Sequence, residues 1–299
     1  MKYAVLFGRR SGRGDRSGVL QQTVDGLASH GHEVSTLETP DLSSAHAACA
    51  QAVTEGVDVL AVVGGDGAVR LAASHCAGSP TALAVIPSGS GNDTAASLAI
   101  PSRVGPAIEL AGRGTTRRID VMNVQASTST STEVTSSCVV GSVPAAVDAL
   151  IAARSLRMPA ALGPARYAAA TLAEIPGMSA REYRLTLDGR TMERSALVLT
   201  VCNLPVFGGG MRIAPDADPC DGLLDVVTID TVGPLSAVTL LRRVFTGTHT
   251  AHPAVRIERC SRVRIEGPEV TAFGDGDPVG ELPLICAAVP DALSVVLPR

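Results

Sequence analysis

The sequence predicts an N-terminal α/β domain built on a parallel sheet, followed by a mainly antiparallel β domain with inserted helices. Three observations predict this. Strand and helix signals alternate through the first third of the chain. The apolar runs Val57–Val63 and Ala82–Ile86 each lead into a glycine-rich turn and then a helix. Past Arg117, short β-rich segments joined by turns replace the alternation. Short, fully apolar strands alternating with helices mark a sheet covered on both faces.

In chain order, Ala4–Phe7 reads as a strand, Gly18–Ser29 as an amphipathic helix, Glu33–Leu37 as a strand and Ala45–Glu55 as a helix. The buried run Val57–Val63 follows, then a helix over Val69–Cys76, the strand Ala82–Ile86 and a helix over Asp93–Leu98. In the second half the strands are Ile119–Val124, Glu133–Val140, Arg181–Leu187, Ser195–Val201, Leu224–Ile229, Arg256–Ile257 and Ser261–Glu266. Asp188-Gly189 is a hairpin signal, and Ser127–Thr132 reads as a hairpin tip or a linker. Helices are expected at Val143–Ala153, Ala165–Glu174 and Pro234–Thr246, and Ser294–Leu297 is a strand that can return to either domain. The Ala- and Leu-rich stretch Val143–Ala173 reads as core, or as the wall of an apolar tunnel.

Composition narrows the function. The 299 residues are long enough for two cores, 45% are hydrophobic, and aromatics make up 2% with no Trp. A net charge of −4 and so few stacking side chains exclude a general nucleic-acid binder. The seven cysteines (49, 76, 138, 202, 220, 260 and 286) show no metal or disulfide spacing and read as buried thiols of a cytoplasmic protein. No apolar run is long enough to span a membrane, which leaves peripheral membrane contact open. Lys2 is the only lysine, so neither a Walker A loop nor the strand lysine of a protein kinase is available. A phosphate site here has to rely on backbone amides, hydroxyls, Arg and metal.

Four stretches can carry chemistry. Gly64-Gly65-Asp66-Gly67-Ala68 closes a buried strand, and its glycines let the backbone approach a ligand beside a carboxylate suited to Mg²⁺. Ile86-Pro87-Ser88-Gly89-Ser90-Gly91-Asn92-Asp93 also follows a strand and opens a helix, with Asn92 or Asp93 available as N-cap. Two such loops at neighbouring strand ends would form one crevice. The acidic turn from Phe207 through Asp218, Asp221 and Leu223 to Val226 offers hard-metal ligands. Phe273-Gly274-Asp275-Gly276-Asp277-Pro278 would place a carboxylate where an acceptor hydroxyl must lose its proton, or is a plain hairpin turn.

In order and spacing these stretches resemble the diacylglycerol kinase catalytic-domain family, in its bacterial lipid-kinase branch related to sphingosine kinases. Gly31-His32-Glu33-Val34 ahead of Thr39, and Asp120-Val121, extend the likeness over almost the whole chain. The resemblance implies a nucleotide domain at residues 1–121, a β-sandwich acceptor domain at 122–287, and a return of 288–299 to the first. It implies ATP and Mg²⁺ as cofactors and a lipid alcohol as acceptor, and leaves a homodimer open. By position, Gly12, Thr39, Gly64, Gly65, Gly67, Ala68, Ser88, Gly89 and Ser90 would hold ATP, with Asp66 on the nucleotide–Mg²⁺ complex. Asp221 would bind a structural Mg²⁺ with main-chain oxygens of Asp218 and Leu223, and Asp277 would be the base. The chain departs from the family pattern at Gly8–Gly12, at Ala68 in place of Thr, at Arg70-Leu71 in place of Asn-Glu, and at Asp277 in place of Glu. The alternatives are a nucleotide-binding protein without turnover, or an NAD kinase-like phosphotransferase.

Overall fold

The computed structural model describes residues 1–8, 17–89, 91–128, 131–159, 162–163, 165–174 and 179–299. The chain forms two compact units, Met1–Ile119 with Asp291–Arg299, and Asp120–Pro290.

The first unit runs β1 (Lys2–Gly8), α1 (Ser17–Ser29), β2 (Glu33–Thr39), α2 (Leu42–Thr54), β3 (Val59–Gly64), α3 (Asp66–Cys76), β4 (Ala82–Pro87), α4 (Asp93–Ser97) and α5 (Val104–Arg113). Its strands are parallel in the order β2-β1-β3-β4, and Val295, near the chain's end, pairs parallel with Leu83 of β4. Every residue of β3 and β4 is buried, as their unbroken apolar runs require. Leu27 of α1 with Ala107 and Ile108 of α5 pack on one core of this sheet. Helix α5 has no counterpart among the sequence expectations. Its buried positions Ala107, Ile108 and Ala111 are spaced for a helix, and Gly105, Gly112 and Gly114 interrupt or end that pattern.

The second unit carries β5 (Thr115–Thr128), which begins in the first, then β6 (Ser131–Val139), β7 (Ser142–Pro144), α6 (Val147–Arg157) and α7 (Ala165–Glu174). Next come β8 (Arg181–Leu187), β9 (Arg190–Ala196), β10 (Val198–Cys202), β11 (Leu224–Ile229) and α8 (Pro234–Thr246). It ends with β12 (Val255–Cys260), β13 (Arg262–Glu266), β14 (Thr271–Gly274) and β15 (Asp277–Leu297), whose last residues belong to the first unit. One sheet is the antiparallel series β12-β11-β10-β7, and the other includes β15-β13-β8-β9. Their inner faces share one core, with Leu199 and Val226 from the first meeting Leu185 and Val263 from the second. The architecture is a β-sandwich with inserted helices.

Two expectations shift. The helix read at Val143–Ala153 starts later, because Ser142–Pro144 is taken as a strand opposite Cys202–Thr200. The single strand read at Ser195–Val201 is two, β9 and β10, separated at Leu197. Of the Ser127–Thr132 stretch, Thr128 pairs with Ser131, so the hairpin reading holds for the described residues. All seven cysteines are free thiols and five are buried. Among the described residues no helix is long and apolar enough to cross a membrane.

Candidate functional site

In the first unit the two glycine loops lie at the carboxyl ends of the adjacent strands β3 and β4, in direct backbone contact. The Ser88 amide donates to the Gly64 carbonyl at 2.9 Å. A Cβ built on Gly89 would sit 2.4 Å from the Gly65 Cα and 3.1 Å from its nitrogen, so only glycine allows this approach. Helix α3 starts at Asp66, with Gly65 in extended conformation as its N-cap. The amides of Ala68 and Val69 donate to the Gly65 carbonyl, whereas those of Asp66 and Gly67 precede the first intrahelical bond.

Asp66 fastens the two loops together. Its Oδ2 accepts the Asn92 amide at 2.8 Å and its Oδ1 accepts the Thr94 amide at 3.0 Å. Asn92 sits in the left-handed region (φ 61°) and its side chain makes no cap of its own. Its Oδ1 instead accepts the Gly89 amide at 2.9 Å, while its Nδ2 donates to the Gly89 carbonyl at 3.0 Å. The cap that the sequence assigned to Asn92 or Asp93 is thus supplied from 26 residues away, by Asp66. Asn92, read from the sequence as a cap, is instead a positioning residue, and Thr94 is one that motif reading overlooked. The signal was present in the Gly-Asn step, which suits a left-handed turn.

Beside the loops is a cavity of about 420 Å³. Gly8 closes β1, Thr39 closes β2, and Gly67 and Ala68 open α3 around it, with apolar walls that include Leu42 and Leu71. From β1 the chain crosses to β2 on one side, and β3 and β4 lie on the other, so the cavity sits where the strand order reverses. Such switch points are where open α/β sheets take ligands. The structure therefore gathers Thr39, Gly64, Gly65, Asp66, Gly67, Ala68, Ser88 and Gly89 at one end of one sheet. Gly12 and Ser90 lie outside the described residues.

The other candidate residues lie in the second unit. Asp120, 1% exposed, pins the acidic turn: its amide donates to the Pro219 carbonyl at 2.6 Å and its Oδ2 accepts the Gly222 amide at 2.7 Å. Within the turn, Asp218 accepts the Cys220 amide at 3.0 Å and Asp221 accepts the Leu223 amide at 2.9 Å. The second oxygen of Asp221 is paired with the Arg259 guanidinium, whose Nε also lies 3.7 Å from Asp225. Burial, with Asp216 nearby, pushes the Asp225 carboxyl up to about 6.

Among the described residues no three His, Cys, Asp or Glu side chains gather to hold a metal ion. One oxygen of Asp221 is taken up by Arg259, so a cation bound there would have to displace the guanidinium. The melting temperature of the nucleotide-free protein is therefore expected not to change between EDTA and millimolar Mg²⁺. Arg259→Gln removes the counter-charge that Asp221 and Asp225 share, and should lower stability and make it respond to Mg²⁺. Thermal unfolding across a Mg²⁺ titration tests both, and a Mg²⁺-dependent rise in the unaltered protein would show that a cation displaces the arginine.

Asp275 lies in the turn of the β14–β15 hairpin, and Asp277, paired with Gly274, follows that turn. Asp275 (φ 48°) and Gly276 (φ 94°) form its two-residue tip, the left-handed pair a type I′ turn needs. The Asp275 carboxylate accepts three amides, from Val140 at 2.7 Å, Gly141 at 2.9 Å and Ser142 at 3.1 Å. It holds the hairpin to the β6–β7 bend. Asp277 is exposed at the start of β15, next to the tip that Asp275 fastens.

The same unit contains an apolar cavity of about 90 Å³, walled by residues such as Ile151, Tyr167, Phe207, Met211 and Leu240. The Val143–Ala173 stretch divides accordingly: Ile151, Tyr167 and Thr171 line this cavity, whereas Ala149, Ala152 and Ala170 are core. The acid at its wall, Asp148, is held by the Thr200 hydroxyl and the Ala146 amide, and burial pushes it up to about 6.

Comparison with known proteins agrees with this arrangement. Residues 2–124 match the model of the diacylglycerol kinase catalytic domain, and residues 141–297 match the YegS C-terminal NAD kinase beta sandwich-like domain. A diacylglycerol kinase of Mycobacterium tuberculosis is 32% identical over 302 residues, covering 100% of this chain and 96% of that one. One from Staphylococcus aureus is 24% identical, covering 93% and 87%. The crystal structure of a Bacillus anthracis diacylglycerol kinase superposes with a TM-score of 0.76 at 18% identity over 99% of this chain and 96% of that one. Yeast NADH kinase in complex with NADH superposes at 0.55 and 10% identity, covering 100% and 84%. The two structural likenesses show a shared fold, and the sequence matches go further: the chain belongs to the diacylglycerol kinase family of lipid kinases.

Proposed function

We propose that the protein transfers the γ-phosphate of ATP to the hydroxyl of a diacylglycerol-like lipid. The observation that carries this reading is the Gly65–Gly89 backbone contact, fastened by Asp66, beside the cavity at the strand switch point. Backbone cradles too tight for any Cβ suit phosphate oxygens, because amides and a helix N-terminus then meet the anion directly. In this reading Gly64–Ala68 and Ser88–Gly89 hold the phosphates and Thr39 lies on the cavity side. Asp66, whose oxygens already accept the Asn92 and Thr94 amides, would hold a Mg²⁺ brought by the nucleotide through its remaining lone pairs, and the ion would offset the phosphate charge. The apolar cavity of the second unit takes the start of an acyl chain.

For transfer, the acceptor oxygen bonds to the γ-phosphorus as the bond to the β–γ bridging oxygen breaks, and ADP leaves with that electron pair. Asp277 takes the hydroxyl proton. Positioning and charge neutralisation supply most of the acceleration, as in other phosphoryl transfers. One feature favours binding without turnover: Ala68 lines the cavity with a methyl where a threonine would donate a hydrogen bond. Incubating the protein with Mg²⁺-ATP and diacylglycerol in mixed micelles should yield phosphatidic acid. If ATP binds but diacylglycerol, sphingoid bases and other lipid alcohols all stay unphosphorylated, the non-enzymatic reading is correct.

A further inference from the structure

We propose that α8 is the membrane-contact element of this protein and lies on the surface of an anionic bilayer. The inference takes its biological sense from the lipid-kinase reading, but it stands on the helix itself. Helix α8 has two apolar faces. Ala237, Leu240, Leu241 and Val244 turn inward and close the apolar cavity. Leu235, Val238 and Phe245, at i, i+3 and i+10, lie outside that inward arc and are 87%, 40% and 40% exposed. Single exposed apolar residues are ordinary, but these are not scattered. Of the ten large apolar side chains exposed among the described residues, seven lie on α6, α7, the turn joining them, and α8. All three of these helices, α6, α7 and α8, contribute to the wall of the cavity.

Charge decides the occupant. Helix α8 carries no acid, and Arg242 sits within the apolar arc with Arg243 beside it. Both are exposed, as is Arg212, whose amide donates to the Val244 carbonyl at 3.0 Å. None of these three arginines is ion-paired among the described residues. The chain as a whole is at −4, so this positive, apolar surface runs against its overall balance. An exposed leucine and phenylalanine interleaved with unpaired arginines match acyl chains lying beneath anionic headgroups. A bilayer at this face would also bring lipid alongside the cavity that α8 closes.

The test is sedimentation with phosphatidylcholine vesicles, with and without phosphatidylglycerol, in the absence of ATP. The unaltered protein should bind the anionic vesicles. Leu235→Ser with Phe245→Ser should weaken that binding about tenfold or more, as two apolar side chains leave the interface. Arg242→Gln with Arg243→Gln should weaken it by at least about tenfold and flatten its dependence on salt and anionic lipid. Neither pair lines the cavity, so both variants should phosphorylate a water-soluble short-chain diacylglycerol at the unaltered rate. Vesicle binding that neither pair alters would overturn the proposal. So would a dimer, seen by analytical ultracentrifugation, that Leu235→Ser with Phe245→Ser dissociates, since a second copy would then cover this face. Vesicle binding lost in the variants, with no turnover of any lipid by the unaltered protein, would sustain the membrane contact and overturn the kinase reading alone.

Discussion

Asp66→Ala is expected to remove the ATP-dependent rise in melting temperature and to destabilise the protein even without nucleotide. Both carboxylate oxygens accept backbone amides, at Asn92 and Thr94, and alanine leaves both donors without their partner. An unsatisfied buried or half-buried amide costs about 1–3 kcal/mol, so the pair costs on the order of 2–5 kcal/mol. Losing Asn92 also loosens Gly89, which Asn92 grips through both its amide and its carbonyl. The two loops then separate, and the phosphate cradle between them with it. Ligand at a hundred times its dissociation constant stabilises by about 2.7 kcal/mol, so the missing shift is easily read by thermal unfolding with and without Mg²⁺-ATP. Gly89→Ala checks the same point differently. It keeps every carboxylate bond but drives a methyl into the Gly65 Cα, and it should also lose the nucleotide shift. A nucleotide shift that survives Asp66→Ala would place ATP away from these loops.

This coupling marks where the sequence stopped being legible. The buried strands β3 and β4 and the two glycine turns could be read because each is local: an apolar run, then residues that free the backbone. That the turns touch follows from β3 and β4 being neighbours in register, with Gly64 opposite Pro87. That Asp66 caps a helix beginning at Asp93 depends on the same register, which no short window of sequence contains. The acidic turn shows the limit from the other side. Asp218, Asp221 and Asp225 announce themselves as metal ligands, but Arg259 is brought against them by β12 pairing with β11, Asp225 opposite Arg259. Asp275 and Asp277 are alike as residue types and two positions apart, yet one is spent on three amides and the other is exposed. Sequence reading assigned the proton-accepting role to Asp277 and no role to Asp275, which the structure makes the fastener of the hairpin.

That separation makes Asp277→Asn the sharpest test of chemistry. The substitution should lower kcat by about 10²–10⁴-fold, the usual worth of a positioned general base, while leaving ATP-dependent thermal stabilisation intact. The hairpin should keep its shape, since its tip is set by Asp275 and Gly276. Asp275→Asn is the contrasting variant. It puts an amide nitrogen against backbone donors at Val140, Gly141 and Ser142, so any activity it loses should come with a fall in melting temperature. Asp277→Glu separates reach from charge. If the aspartate is short for its task, the added methylene brings the carboxylate closer and the rate rises, because an error of about 1 Å in placing a base costs around a hundredfold. If the surrounding site is shaped to aspartate, the rate falls but stays well above that of Asp277→Asn. A rate unchanged in Asp277→Asn would mean that the acceptor proton leaves without this carboxylate. That outcome is chemically coherent for a loose phosphoryl-transfer transition state, in which the nucleophile keeps its proton until late. Transfer would then depend on how the loops around Asp66 hold the phosphate, and the acidic residue at the hairpin would serve only to orient the hydroxyl.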